Sequence, residues 1–189
     1  MEKINSATCL DEQIGKYAAE LQAKLKGESG KRAVVVCGGT GCIANSSLDI
    51  EEELKREIKE RGLEDKVTVN HVGCFGFCSQ GPFVKIFPED TLYRAVKLKD
   101  VKQIVEKDLV GGQICENLLY VDPTTHEKVA KQDDINFYKK QVRIALHGCS
   151  IINPDLLEEA LGYDAFKGLK KAITTMTPQE VIDEVLASG

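Results

Sequence analysis

Four of the seven cysteines fall in two tight pairs, and their spacing is the feature of this chain most able to do chemistry. Cys37 and Cys42 have four residues between them, Cys74 and Cys78 have three, and thirty-one residues separate the pairs. Each pair follows a short apolar run that predicts a β-strand, so both pairs should lie on loops at strand ends. Four thiolates brought together in this way could bind one small metal centre. The pattern therefore predicts an iron–sulfur site.

The glycines beside these cysteines suit such a site. Glycine occupies positions 38, 39, 41, 73 and 76. Glycines can adopt positive φ and leave room for inorganic sulfide, and backbone N–H groups can offset the negative charge of a cluster. In a [2Fe–2S] cluster two thiolates bind each iron, and here two separate loops supply two each. The plant-type pattern is different, because three of its ligands share one loop.

Other chemistry of cysteine and glycine has to be weighed against this interpretation. Structural zinc also uses four cysteines, usually with Cys-x2-Cys spacing, and it stays an alternative. A thiol–disulfide enzyme is disfavoured, because the chain contains no Cys-x-x-Cys. The string Gly39–Ala44 matches G-x-G-x-x-A, but the acidic residue that should bind the ribose is missing after the second strand. We therefore do not predict dinucleotide binding at this loop.

The remaining cysteines and histidines carry weaker signals. Cys9, Cys115 and Cys149 have no paired neighbour in the sequence, which is typical of small buried hydrophobic residues. His71 lies three residues before Cys74, but a Rieske-type centre needs two such histidines. We therefore predict that His71 is a strand residue near the site rather than a ligand. No catalytic residue is predicted.

The predicted elements around the site alternate between strands and helices. Short β-branched or alternating runs predict strands at 32–36, 66–72, 83–87, 92–96 and 142–146. Helical spacing, caps and terminal glycines predict helices over 10–26, from Ser46 or Ser47 to Gly62, over 101–109, from Asn153 to Gly162, over 164–174 and from a capping box at Thr177–Glu180 to the end. The order β, α, β, β-hairpin, α is typical of an α/β, thioredoxin-like layer of sheet and helices.

The composition disfavours several functional classes. The chain has 189 residues, of which 42% are hydrophobic, and a net charge of −5, as in ordinary globular proteins. No stripe of basic and aromatic residues indicates nucleic-acid binding. No apolar run reaches the roughly 18 residues that span a bilayer, and Met1–Ser6 lacks the basic and apolar segments of a secretion signal. We therefore expect a cytoplasmic protein without a membrane span.

Two stretches that contain the cysteine pairs resemble a known family. Cys37–Cys42 and the string Gly-Cys-x-Gly-x-Cys…Gly-Pro at residues 73–82 are similar to the thioredoxin-like [2Fe–2S] ferredoxins, and the resemblance covers residues 31–112. It implies that one [2Fe–2S] cluster has four ligands, which here are Cys37, Cys42, Cys74 and Cys78. It also implies that each close pair holds one iron.

The second half of the chain resembles another kind of protein. Residues 142–149, 152–154 and the stretch up to 176–182 are similar to the lead-in of the FMN- and NAD(H)-binding subunit of respiratory complex I and its soluble relatives. A ferredoxin domain ahead of this lead-in is typical of the flavin subunit of NAD(P)-linked, electron-bifurcating [FeFe]-hydrogenases and of some NAD-dependent formate dehydrogenases. Those relatives continue into a glycine-rich FMN and NADH loop and a [4Fe–4S] cysteine motif. We therefore expect FMN and NAD(P) only in a longer parent subunit, of which this chain is an N-terminal piece or a product cut at the domain edge.

These observations together predict a domain organisation and a function. Residues 1–30 are expected to form an N-terminal helix, 31–112 the [2Fe–2S] domain, and 113–189 a linker and the truncated start of a flavoprotein-subunit domain with a mostly helical structure. The expected function is one-electron transfer in an NAD(P)H-linked hydrogenase or NADH dehydrogenase, with other subunits or domains of that oxidoreductase complex as partners. The alternatives are a free-standing ferredoxin carrier and a structural domain held by a four-cysteine zinc site.

Overall fold

The structure, a computed structural model, describes residues 4–189. They form two compact units, one comprising the described residues up to Leu21 together with Asp155–Gly189, and the other comprising Gln22–Pro154. Within residues 4–189, no helix is long and apolar enough to cross a membrane. The sequence predicts no secretion signal in the N-terminal segment Met1–Ser6, and the first three residues of that segment lie outside the described residues.

The larger unit is built on a four-stranded mixed sheet. Its strands are Arg32–Cys37 (β1), Val67–Val72 (β2), Val84–Phe87 (β3) and Thr91–Tyr93 (β4), in the order β2–β1–β3–β4. β1 and β2 are parallel, whereas β3 is antiparallel to both β1 and β4. All four were predicted, but β4 ends earlier than expected. Ala95 has a φ of 47° and its N–H donates to the Gln80 carbonyl, so the extended backbone cannot continue.

Alternate residues of β1 enter two different hydrophobic clusters. Val34 and Val36 belong to one cluster, together with apolar residues of the helix that follows the first cysteine pair. Val35 and Cys37 belong to a second cluster, which also contains Phe75. Because successive side chains of a strand point to opposite faces, both faces of the sheet are covered at β1. This explains why the strand is a continuous apolar run in the sequence.

Helices flank the strands of the larger unit and connect them. They are the C-terminal part of Ala7–Lys26 (α1), Thr40–Ile43 (α2), Ser47–Glu60 (α3) and Leu98–Gln103 (α4), which continues as a π-helix over Ile104–Val110. α3 joins β1 to β2 and is followed by Gly62, whose φ is 65°, as the sequence predicts. The predicted serine cap is wrong in detail. Ser46 occupies the N-cap position with a left-handed φ of 64°, and its side chain makes no capping hydrogen bond.

Residues 113–154 pack against the β3–β4 hairpin. Leu92 N donates to the Ala130 carbonyl at 2.7 Å, and Arg94 N donates to the Leu118 carbonyl at 2.9 Å. Leu118 and Leu119 are buried in the cluster that contains Val34. The segment thus contributes to the core of the larger unit. Its short elements are 3₁₀ turns at Glu116–Leu118 and Gln132–Asp134, strands at Tyr120–Val121 (β5) and Lys128–Val129 (β6), and a helix at Asn136–Lys139 (α5).

The strand predicted over residues 142–146 is wrong. These residues form no strand, and the side chains of Val142 and Ile144 are 89% and 80% exposed. Apolar β-branched residues favour a strand only where a neighbouring strand and a buried face receive them. Neither is present for this segment in the part of the chain that the structure describes.

The smaller unit is helical. Besides the N-terminal part of α1 it contains Leu157–Gly162 (α6), Lys167–Thr175 (α7) and Pro178–Ala187 (α8). Leu10, Tyr17 and Leu161 form its buried cluster. α8 begins as predicted, with the reciprocal capping box between Thr177 and Glu180 and with proline in the first turn.

Two of these helices begin later than the sequence predicts. α6 was expected from Asn153, but Asn153 is buried and the preceding Ile152 carbonyl accepts a hydrogen bond from Gly73, so the helix begins at Leu157. α7 was expected from Asp164, but Asp164 and Phe166 have φ values of 74° and 67°. A helix cannot include such left-handed residues, and it therefore begins at position 167.

Candidate functional site

The four paired cysteines lie at one edge of the sheet. Cys37 is the last residue of β1 and is in register with Val72, the last residue of β2. Because β1 and β2 are parallel neighbours, the loops that follow them leave in the same direction. Cys42 is on the short helix α2, and Cys78 begins the 3₁₀ turn Cys78–Gln80. The topology therefore brings together two pairs that are separated by thirty-one residues in the sequence.

The thiols contact one another within and across the two loops. Cys37 hydrogen-bonds with Cys42 of its own loop and with Cys74 of the other, and Cys74 contacts Cys78. The hydrogen bond with Cys42 lowers the pKa of Cys37 to about 6, and the same contact together with burial raises the pKa of Cys42. Burial also raises the pKa of Cys74. Cys37 is thus held towards the thiolate, which is the form that binds metal.

Solvent reaches the four thiols unequally. Cys37 and Cys42 are buried, with 1% and 2% of their surface exposed, whereas Cys74 is partly exposed and Cys78 is exposed. Among residues 4–189, no group of three or more His, Cys, Asp or Glu side chains is already arranged to hold a metal ion. The ligand set is therefore inferred from the contacts between the thiols and from the space around them.

Glycines create that space by lacking a side chain. A Cβ on Gly39 would lie 2.9 Å from the Cys74 sulfur, and a Cβ on Gly81 would lie 2.6 Å from the Cys42 sulfur. Both distances are far below the roughly 3.5–4.0 Å of ordinary contact, so only glycine fits at these two positions without moving a thiol. Of the glycines noted in the sequence at 38, 39, 41, 73 and 76, only Gly76 has a positive φ, of 80°.

Gly76 also supplies a hydrogen bond to the site. Its backbone N–H donates to the Cys74 sulfur at 3.3 Å. Donors of this kind stabilise a thiolate and the negative charge of an iron–sulfur cluster. The site thus combines four thiols, one backbone N–H donor and two glycines, Gly39 and Gly81, at which a side chain would crowd a sulfur atom. These features together fit a cluster with inorganic sulfide.

Residues outside the four cysteines differ in how well the sequence predicted them. The predicted strand position of His71 is confirmed, and its Nδ1 lies 3.1 Å from the buried carboxylate of Glu51. Cys115 is buried in the hydrophobic core, as predicted. Cys149 is instead partly exposed and lies against Gly73, next to Cys74. The sequence could not reveal this contact, because Gly73 and Cys149 are seventy-six positions apart.

Comparison with known proteins identifies the family. Residues 24–108 match the thioredoxin-like [2Fe–2S] ferredoxin family. The 2Fe–2S ferredoxin of Clostridium pasteurianum is 40% identical over 77 residues, which are 41% of this chain and 76% of that protein. The crystal structure of the thioredoxin-like [2Fe–2S] ferredoxin of Aquifex aeolicus is 30% identical, covers 47% of this chain and 94% of its own, and has a TM-score of 0.43.

A larger protein matches a shorter stretch. The NADP-reducing hydrogenase subunit HndC of Solidesulfovibrio fructosivorans is 43% identical over 51 residues, which are 27% of this chain but only 10% of that subunit. The family match confirms the predicted thioredoxin-like α/β fold and the predicted [2Fe–2S] cofactor. The roles of the individual cysteines stay a prediction. The chain belongs to the thioredoxin-like [2Fe–2S] ferredoxins.

Proposed function

We propose that this chain transfers single electrons through one [2Fe–2S] cluster bound by Cys37, Cys42, Cys74 and Cys78, with one iron held by each close pair. The observation that carries the proposal is the convergence of the two pairs at the common end of β1 and β2. When bound, the cluster supplies a site that is reduced and reoxidised by one electron at a time. No substrate pocket is required for this function.

The residues of the chain provide three conditions for such transfer. The thiolate form of Cys37 is favoured by its hydrogen bond with Cys42, which prepares Cys37 for metal binding. Phe75 and Phe83 are 0% and 1% exposed, with ring centroids 5.3 Å apart, and they exclude water beneath the second loop. The exposed Cys78 leaves one side of the site open to a redox partner. Burial on one side and exposure on the other suit electron exchange by surface contact.

We further propose that the chain works within an NAD(P)H-linked oxidoreductase complex, as part of a hydrogenase or of an NADH dehydrogenase. The similarity to the NADP-reducing hydrogenase subunit supports this context. FMN and NAD(P) would then be bound by other parts of the complex. Residues 31–112 would be the electron-transfer domain and residues 1–30 an N-terminal helix. Residues 113–189 would be a linker, packed on the electron-transfer domain up to residue 154, and the start of a flavoprotein-subunit domain. We place the complex in the cytoplasm, where grouped cysteines remain reduced.

A free-standing ferredoxin carrier is a second candidate. It is favoured by the similarity to the Clostridium pasteurianum ferredoxin, because the aligned region covers 76% of that protein. The two candidates differ in partners and not in the cluster. Affinity purification of the tagged chain from its native cells separates them. Copurification of flavin-containing oxidoreductase subunits supports the complex, and recovery of the chain alone supports the carrier.

The cluster itself is tested by anaerobic purification of the full chain, followed by iron, sulfide and zinc analysis and by EPR after reduction with dithionite. We expect about two irons and two sulfides per chain and an S = 1/2 signal after reduction. Serine variants at each of the four proposed ligands should lose or alter this signal, whereas Cys9→Ser, a substitution in the helical unit, should not. Stoichiometric zinc in a colourless protein would instead establish the structural alternative.

A further inference from the structure

A tyrosine that lies outside the family match contacts the second cysteine loop. The match ends at residue 108, whereas Tyr138 lies on α5. The Tyr138 hydroxyl donates a buried hydrogen bond of 3.1 Å to the Phe75 carbonyl. Burial raises the pKa of Tyr138, so the hydroxyl keeps its proton and remains a donor. This hydrogen bond therefore fixes the backbone between Cys74 and Cys78.

The Phe75 carbonyl and the Gly76 N–H belong to the same peptide unit. Because a peptide unit is planar, fixing the direction of the carbonyl also fixes the opposite direction of the N–H. The Gly76 N–H donates to the Cys74 sulfur at 3.3 Å. The hydroxyl of Tyr138 and the sulfur of Cys74 thus hold the two ends of one peptide plane. Gly76 has a φ of 80° and open space where a side chain would begin, so it offers little steric resistance to rotation of that plane.

Three further contacts hold the segment that contains Tyr138 on the loop. Phe137 stacks on Phe77 with ring centroids 4.2 Å apart and an interplanar angle of 16°. Gly73 N donates to the Ile152 carbonyl at 3.2 Å, and its own carbonyl accepts from Ser150 N at 3.1 Å. The residue before Cys74 is therefore paired on both sides with the later segment. The contact with Tyr138 is part of a packed arrangement around the loop.

A buried polar chain anchors this later segment to the sheet. Lys85 Nζ, on β3, donates to the Gln132 side chain at 3.0 Å, and the Gln132 amide donates to the Ser150 hydroxyl at 3.5 Å. These three residues are between 1% and 6% exposed. Buried polar groups keep their partners, because losing one costs the full desolvation of the other. The segment that pairs with Gly73 is thus tied to the sheet as well as to the loop.

We propose that Tyr138 is a positioning residue for the cluster: its hydroxyl holds the Phe75–Gly76 peptide so that the Gly76 N–H points at the Cys74 sulfur. This inference rests on the proposed function, since Cys74 is there a ligand. An N–H donor to a ligand sulfur stabilises the more negative, reduced form and raises the reduction potential. Without the hydroxyl, the peptide plane is free to rotate and the donor is lost for part of the time.

The test compares Tyr138→Phe with Tyr120→Phe in the full chain. The Tyr120 ring, like the Tyr138 ring, packs near Phe77, and the centroids of Tyr120 and Phe77 are 5.9 Å apart. Among the described residues, however, the Tyr120 hydroxyl makes no hydrogen bond to the loop. We expect Tyr138→Phe to keep two irons per chain and to have a more negative reduction potential. Tyr120→Phe should keep the potential of the wild type.

Amide hydrogen exchange of the metal-free protein gives a second readout. The loss of one neutral hydrogen bond should speed exchange of the Gly76 amide about fivefold in Tyr138→Phe and leave it unchanged in Tyr120→Phe. Equal potentials and equal exchange in Tyr138→Phe and the wild type would overturn the positioning role. A wild-type chain that binds no [2Fe–2S] cluster would overturn the proposed function instead, and the exchange of Gly76 would still decide whether Tyr138 orients the peptide.

Discussion

Replacing Gly81 with alanine should prevent Cys42 from binding the cluster, although Gly81 is not itself a ligand. Gly81 has φ −76° and ψ 172°, an extended conformation that alanine adopts without strain. The only new feature is the methyl group, which would lie 2.6 Å from the Cys42 sulfur. Since ordinary contact requires about 3.5–4.0 Å, the sulfur has to move by roughly 1 Å. Metal–ligand distances tolerate only about 0.2 Å.

We therefore expect Gly81→Ala to lose as much iron and sulfide as a Cys42→Ser variant. The assay is metal and sulfide content after anaerobic purification, with the EPR signal of the reduced protein. Gly41→Ala is the matched control, because Gly41 lies on helix α2 and its added Cβ would be 3.9 Å from that of Cys78. Circular dichroism of both variants checks that the fold is retained. A fully loaded Gly81→Ala protein with the wild-type EPR signal would refute the steric argument and, with it, the position assigned to Cys42.

Two further predictions concern stability and pH. Asp108 is buried, pairs with Arg32 and accepts a hydrogen bond from the hydroxyl of Tyr93, so Asp108→Ala should lower the free energy of unfolding by about 2–4 kcal/mol in urea titrations. Asp108→Asn should cost less, and equal stability of wild type and Asp108→Ala would contradict the role of this network. Hydrogen bonds from the backbone and hydroxyl of Thr177 lower the pKa of Glu180, so the capping box stabilises α8 above pH ~4.3, the ordinary pKa of glutamate. Helicity should then fall as the pH drops through the lowered pKa of Glu180, and this fall should be absent in Glu180→Gln. The same pH profile in both proteins would show that the capping box does not cause the loss of helicity.

Local patterns in the sequence predicted the parts of the fold that depend on neighbouring residues. Three predicted features each depend on a few consecutive residues, and each is present in the structure: the apolar run before Cys37, the helix that Gly62 follows and the capping box at Thr177. The strand at 142–146 failed, because strand formation depends on a partner strand that the sequence pattern does not specify.

In the candidate site, too, the sequence predicted the features that depend on neighbouring residues and missed those that depend on distant ones. The two cysteine pairs are visible in the sequence because their members are close neighbours, and their resemblance to the ferredoxin family is strong for the same reason. The steric role of Gly81 beside Cys42 and the hydrogen bond from Tyr138 to Phe75 depend on contacts between residues that are thirty-nine and sixty-three positions apart. Such contacts are set by the topology, so no local pattern could have indicated them.

The parallel pairing of β1 and β2 also has a consequence for biogenesis. The two halves of the proposed ligand set become neighbours only after α3 has crossed over and β2 has docked beside β1. A nascent chain that has emerged only as far as α3 carries Cys37 and Cys42 but not the second pair, which is half of the proposed ligand set. We therefore expect assembly of the whole cluster to require a chain in which β2 already lies beside β1, and the bound cluster would then hold the two loops together. Strand topology thus limits when all four proposed ligands become available together during synthesis of the chain.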